Sequence, residues 1–171
     1  MKLLFVLGSR GEWGYIRPII RLAEQRGHLP EIWACNMSVL DRFGNLSEEI
    51  AADKYPLVGK ALTAVDGDSN LALAKSFGLV SLSASDWLSN NKYDWIILAG
   101  DRVEQVAFAV NAAILRVPIC HIQAGERSGN IDGMSRHAIA RYAHLHFASN
   151  QDAVERLIKS GESPERIHLT G

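Results

Sequence analysis

Two short stretches hold most of the groups that could do chemistry: "GDR" at Gly100–Arg102 and "HIQAGERSGNIDGMSRH" at His121–His137. Between them they supply Asp101, Arg102, Gln123, Glu126, Asp132, Arg136 and His137. A carboxylate can take or return a proton, and the planar arginine fork can hold an anion or fix a carboxylate. A site that moves protons on a charged substrate needs both, held at a productive angle. A third stretch, "GSRGEWG" at Gly8–Gly14, places Arg10 just ahead of a helix. Glycines there let backbone approach a phosphate, and a helix amino end favours an anion. The stretch is not G-x-G-x-x-G. No acid ends the second strand to bind a ribose, since Asp41 comes several residues on. A dinucleotide site is therefore disfavoured against a phosphate-facing or merely structural turn.

Each candidate also has a structural reading. Asp101 can cap the helix that follows it, with Glu104 completing a capping-box spacing. Asp132 precedes the helix that carries Arg136 and, four residues apart, the two can pair. His144 and His146 bracket a strand start, and one or both read as packed side chains rather than ligands. What raises the functional reading is convergence. Arg10, Arg102 and Arg136 could bind an anion, while Asp101 and Asp132, with Gln123 between them, could handle a proton. That reading requires Arg10, Asp101 and Asp132 to surround one hollow.

The elements that must position these residues follow from the apolar pattern. Leu3–Leu7 is a continuous apolar run, the mark of a strand covered on both faces. Ile16, Ile19, Ile20 and Ala23 repeat at helical spacing, and Pro18 fits only the first turn of that helix. "LPEIWAC" is a strand with Ile32 and Ala34 alternating against Glu31 and Trp33. The signal from Ser38 to Lys60 is weak, with a short strand at "YPLV". Asp66–Asn90 reads as helix, with an interruption at Gly78. Then come strand Tyr93–Gly100, helix Val103–Leu115, strand "VPICHI", helix Met134–Ala143, strand "LHFAS", helix Gln151–Ser160 and strand "RIHLTG". This alternation predicts an α/β fold: a Rossmann-like, doubly wound parallel sheet forming a single domain over residues 1–171. In such sheets ligands bind outside the carboxyl ends of the strands, where all three stretches lie.

The 171 residues suit one domain with a real core, and a formal net charge of −1 gives no field favouring nucleic acid or a membrane surface. Cys35 and Cys120 sit inside apolar runs and read as buried free thiols of a reducing compartment. No C-x-x-C occurs, so a thiolate zinc site is not expected. The apolar start is too short for a signal peptide and reads as a first strand, which places the protein in the cytoplasm. The last strand stops abruptly at Gly171, so the chain reads as a fragment or as one half of a pair.

"GSRGEWGYIRPII", "GDRVEQVAFAVNAA" and above all "HIQAGERSGNIDGMSRHAIARYAHLHFAS" resemble the UDP-N-acetylglucosamine 2-epimerase family, in its hydrolysing branch that feeds sialic-acid-type sugars. The similarity runs the whole length of the chain. It implies the amino-terminal half of a two-domain, GT-B-like protein, with the active site in the cleft between two Rossmann-like domains. The implied reaction removes the proton at C2 of the nucleotide sugar, expels UDP to leave a glycal, and hydrates it to the 2-epimerised free sugar, N-acetylmannosamine. It needs no cofactor and no metal. By motif, the resemblance makes Asp101, Asp132 and Gln123 the catalytic candidates. Arg10, Arg102, Glu126, Arg136 and His137 become the substrate-binding ones. It further implies a UDP-sugar substrate and a missing carboxyl-terminal domain or complementary chain, and a homodimer is compatible with it.

Departures from the family pattern matter. Gln123 stands where the family has Glu, and an amide cannot accept a proton as a carboxylate does. Ser38 stands where it has His, and Leu46 replaces a Thr. A non-catalytic relative that binds a nucleotide sugar is therefore the alternative, followed by half of a GT-B glycosyltransferase; a NAD dehydrogenase is more distant.

Overall fold

The computed structural model describes residues 1–67, 69–129 and 131–171. Its strands are β1 (Lys2–Leu7), β2 (Leu29–Cys35), β3 (Leu57–Ala61), β4 (Trp95–Ala99), β5 (Ile119–Ile122), β6 (Leu145–Ala148) and β7 (Ile167–Leu169). Its helices are α1 (Arg10–Gln25), α2 (Ser47–Ala52), α3 (Asn70–Asn90), α4 (Val103–Ile114), α5 (Ile131–Tyr142) and α6 (Gln151–Lys159). Parallel strands cannot be joined by tight hairpins, so each crossover is made by helix and loop. The result is a seven-stranded sheet in the order β3-β2-β1-β4-β5-β6-β7, with every neighbouring pair parallel.

Burial on both faces explains why the strands read as unbroken apolar runs. From β1, Leu3, Phe5 and Leu7 pack on one side with Trp13, Ile16 and Ile20 of α1. Leu4 and Val6 pack on the other with Val80 of α3, Phe108 of α4 and Ile139 of α5. Strand order reverses between β1 and β4, and a crevice opens at the carboxyl ends of such a switch point. No helix among the described residues is long and apolar enough to cross a membrane.

Several local expectations are corrected. α1 begins at Arg10, so Pro18 lies well inside it rather than in its first turn. Pro18 and Gly14, whose carbonyl the ring displaces, both face solvent, where water can take the freed acceptor. Trp33 is not the exposed partner in an alternation. It is buried and meets Phe108 edge-on at a centroid distance of 4.7 Å, because β2 is covered on both faces. α3 runs unbroken through Gly78 and starts at Asn70, not Asp66; residue 68 lies outside the described residues. The weak stretch after β2 holds two short 3-10 turns and α2, too brief for a readable period. Cys35 and Cys120 are free and buried.

Gly125, just after β5, has φ +79°, and a β-carbon there would fall 2.5 Å from the Ala153 carbonyl oxygen of α6. Gly125→Ala is therefore expected to cost about 2–4 kcal/mol, from left-handed strain plus overpacking. Gly78→Ala, with no neighbouring atom within 4 Å of the added carbon, is expected to gain about 0.5–1 kcal/mol. Urea midpoints read both effects at unchanged slope. Equal stability of the two variants would contradict the α6 packing.

Candidate functional site

The carboxyl ends of β1, β4 and β5 open onto a cavity of about 220 Å³. Asp101 and Arg102 reach it from β4, Gln123, Glu126 and Arg136 from β5 and α5, and Ser9, Glu12 and Tyr15 from β1 and α1. Two backbone features set these loops. Gly100 turns with φ +80°, and Gln123, although not a glycine, has φ +58°. His121 lies fully buried at the end of β5, with its Nε2 2.7 Å from the Gly100 carbonyl oxygen. Burial pushes its pKa down to about 4, so the ring is neutral and Nε2–H donates to that carbonyl. It thereby pins the turn that presents Asp101.

Arg136 is the centre of the polar network, although only 5% exposed. Its Nη1 donates to the Gln123 carbonyl at 2.6 Å and to Glu126 Oε2 at 3.3 Å. Its Nη2 donates to Asp101 Oδ2 and, at 3.4 Å, to Ser128 Oγ. The Ser128 hydroxyl donates to the same Asp101 oxygen at 2.6 Å. Glu126 in turn accepts from the Ser149 hydroxyl beyond β6. Burial alone would raise the Asp101 pKa; the Ser128 and Arg136 hydrogen bonds and the charge of Arg136 overcome it, and the net shift is downward. Asp101 is thus an ionised carboxylate facing the cavity.

The opposite flank is built differently. Ser9 caps α1, and Glu12 Oε2 accepts from the backbone N–H of Gly8 at 2.5 Å and of Ser9 at 2.9 Å. Glu104 lies below it, fully buried, accepting from the Asn36 amide and from Arg102 Nε at 3.2 Å and Nη2 at 3.1 Å. Burial raises the Glu12 pKa to about 7, against the pull of its two backbone donors and with the neighbouring charge of Glu104 adding to the rise. One flank therefore carries an ionised acid and the other a carboxyl that titrates near neutrality, the separation that acid–base chemistry at one centre requires.

The expected residues are only partly brought together. Asp101, Arg102, Gln123, Glu126 and Arg136 line one hollow. Arg10 does not share it: its guanidinium turns away to the Gly44 carbonyl at 2.9 Å and to Glu49 of α2. His137 is exposed and lines a neighbouring cavity with Arg127, Ser128 and Met134. Asp132, in the first turn of α5, acts electrostatically on Arg102. Asp101 does not cap α4: Arg102 occupies the cap position, and the carboxylate is held by Ser128 and Arg136 instead. Glu104 likewise closes no capping box. His146 is buried beside Glu162, with Nε2 3.3 Å from its carboxylate, while His144 is exposed. Ser38 is buried, its hydroxyl donating to the Leu7 and Cys35 carbonyls, so it holds the β2 loop rather than the cavity. Glu12, Glu104 and Asn36 were missed. The spacing Ser9-x-x-Glu12 is a capping box legible in the sequence. Among the described residues, no group of three or more His, Cys, Asp and Glu side chains is set for a metal ion.

The lowered Asp101 pKa carries a pH dependence. Its contribution to stability is present above the ordinary carboxylate range and is lost as pH falls through the folded-state midpoint. Arg136→Gln removes the charge, so burial should dominate and the Asp101 midpoint should move up past the ordinary value. Carbon-13 NMR titration of labelled aspartate reads this directly. An unmoved midpoint would show that Arg136 is not what holds the carboxylate ionised.

Comparison with known proteins bears on the family and the fold. The family model described as UDP-N-acetylglucosamine 2-epimerase matches residues 31–171. A hydrolysing UDP-N,N'-diacetylbacillosamine 2-epimerase of Legionella pneumophila is 32% identical over 171 residues, covering 99% of this chain and 45% of that protein. A UDP-N-acetylglucosamine 2-epimerase of Neisseria meningitidis serogroup B is 27% identical, with 99% and 45% covered. The crystal structure of the Methanocaldococcus jannaschii UDP-GlcNAc 2-epimerase with UDP-GlcNAc and UDP superposes with a TM-score of 0.86 at 23% identity. It covers 100% of this chain and 46% of that one, and at that identity it speaks for the fold. The chain spans about half the length of the curated relatives it matches. With the motifs at the strand tips and a family match over most of its length, the chain belongs to the UDP-N-acetylglucosamine 2-epimerase family.

Proposed function

We propose that this chain forms the sugar-facing wall of a hydrolysing nucleotide-sugar 2-epimerase that converts UDP-N-acetylglucosamine to UDP and N-acetylmannosamine. The observation that carries the reading is Asp101, an ionised carboxylate clamped by Ser128 and Arg136 at the edge of the cavity. Asp101 takes the proton at C2. The electron pair of that C–H bond forms the C1=C2 double bond, the C1–O bond breaks, and UDP leaves with its electron pair. Water then adds its oxygen to C1 while C2 receives a proton on the opposite face. Asp132, near Arg102, is the second carboxylate candidate.

The arginines argue for a division of labour. Arg10 is engaged by Glu49, Arg102 by Glu104, and Arg136 by Asp101 and Glu126. Cations already neutralised by their own carboxylates are poor diphosphate ligands. This wall therefore handles the sugar and its protons, and the diphosphate is held by a second domain or chain. Closure by that partner would also exclude water and fix the substrate, so the isolated chain turns over orders of magnitude more slowly than the assembled protein. The two buried free thiols fit a cytoplasmic protein.

A second reading, a module that binds a nucleotide sugar without turning it over, is favoured by Gln123, whose amide lines the cavity where the family pattern has a carboxylate. The test uses the protein that contains this chain, incubated with UDP-N-acetylglucosamine. Appearance of UDP and N-acetylmannosamine supports the epimerase; binding without UDP release supports the module. Asp101→Asn is expected to lower UDP release by about 10²–10⁴-fold, with nucleotide-sugar binding by calorimetry changed far less. A variant as active as the parent would remove Asp101 from the chemistry.

A further inference from the structure

A helix on the surface of a folded domain presents charge to water, and two helices of this fold do so. The outward side of α1 carries Arg17, Arg21 and Glu24, and that of α6 carries Asp152, Glu155 and Lys159. α3 is different. Its 21 residues include two charges, Lys75 and Asp86, while Leu71, Leu79 and Leu82 stand 65, 43 and 66% exposed. We propose that this face of α3 docks on the same face of a second copy of the chain, with the two helices antiparallel across a two-fold axis.

The spacing makes this face self-complementary. Leu71, Lys75, Leu79, Leu82 and Asp86 recur three or four residues apart, so they form one stripe, and all five are exposed. A two-fold contact sets each residue of a patch against another residue of the same patch. With the axis between Val80 and Ser81, Leu79 meets the partner's Leu82 and Lys75 meets the partner's Asp86, each contact occurring twice. A single centre thus satisfies the apolar and the charged pairs together. Within one copy the two charges lie eleven residues apart on the helix, roughly 16 Å, too far to meet. Among the described residues neither side chain forms an ion pair. A parallel pairing would set like charge against like and is disfavoured.

The apolar surface continues onto α4. The Asn111 amide donates to Ser81 Oγ at 2.7 Å, which fixes α4 beside α3, and Ile114 close by is 72% exposed. α3 is about 30 Å long and runs from the carboxyl edge of the sheet, where β3 ends, to the amino edge, where β4 begins. The stripe therefore leads away from the cavity. A second domain closing over the strand tips would meet the start of α3, not Leu82 or Asp86. A copy of the chain supplies both the leucines and the opposite charges that this face lacks. The contact stands whether or not the cavity turns over substrate.

Sedimentation of the protein that contains this chain tests the pairing. The parent is expected to be a dimer. Leu82→Arg should weaken association by about 10²-fold, because it buries two unpaired charges beside the axis. Lys75→Glu and Asp86→Lys, each alone, bring like charges together at two points and should weaken it by about 10-fold or more. An equimolar mixture of those two variants regains both opposite-charge contacts, so it should sediment as a heterodimer of near-parental affinity. Recovery on mixing also shows that neither variant is misfolded. A monomeric parent, a dimer indifferent to Leu82→Arg, or charge reversals that are harmless or that mixing does not rescue would each overturn the antiparallel docking.

Discussion

A guanidinium cannot shed its proton, so a buried arginine obliges its surroundings to supply negative charge and acceptors. Arg136 imposes that condition on the strand tips. Its partners are the Gln123 carbonyl, Glu126 and Ser128 beyond β5 and Asp101 beyond β4, and Glu126 is tied on to Ser149 beyond β6. Leaving such a charge without its partner typically costs about 3–5 kcal/mol, so the loops are held in one arrangement. The same charge keeps Asp101 ionised. The ordering of these loops and the ionisation of Asp101 therefore have one origin.

The β1 flank shows the converse case. Here two carboxyl groups, Glu12 and Glu104, are buried with one arginine between them and the solvent. Arg102 is engaged by Glu104, and burial raises the Glu12 pKa to about 7. One cavity thus holds two carboxyls of different character. The difference lies in which carboxyl the arginine bonds: Arg136 reaches Asp101 directly, whereas Arg102 bonds Glu104 and not Glu12.

Much of this was legible in the sequence, because the relevant rules are local. Unbroken apolar runs such as Leu3–Leu7 mark strands covered on both faces, and the alternation with helices leaves little choice but a parallel sheet. That placed the Asp101 and Arg136 motifs at the carboxyl edge together. The failures came from pairings that no spacing encodes. Arg10 is claimed by Glu49 from a helix only six residues long, in the stretch with the weakest pattern. His137 follows Arg136 directly, yet neighbours on a helix point about 100° apart, so one is buried and the other exposed. Glu104 looked like a capping residue because its spacing allowed it; that the first turn of α4 packs beneath β1 is a tertiary fact.

That packing depends on Gly8. A β-carbon there would sit 3.2 Å from Glu104 Cδ and 3.3 Å from its Cβ and Cγ. The approach of α4 to the tip of β1, and with it the spacing of the two buried carboxyls, is set by a residue that contributes only a hydrogen atom. Acidity on that flank is consequently under steric control: a single methyl group, uncharged and far from solvent, would act as a wedge that retunes the electrostatics.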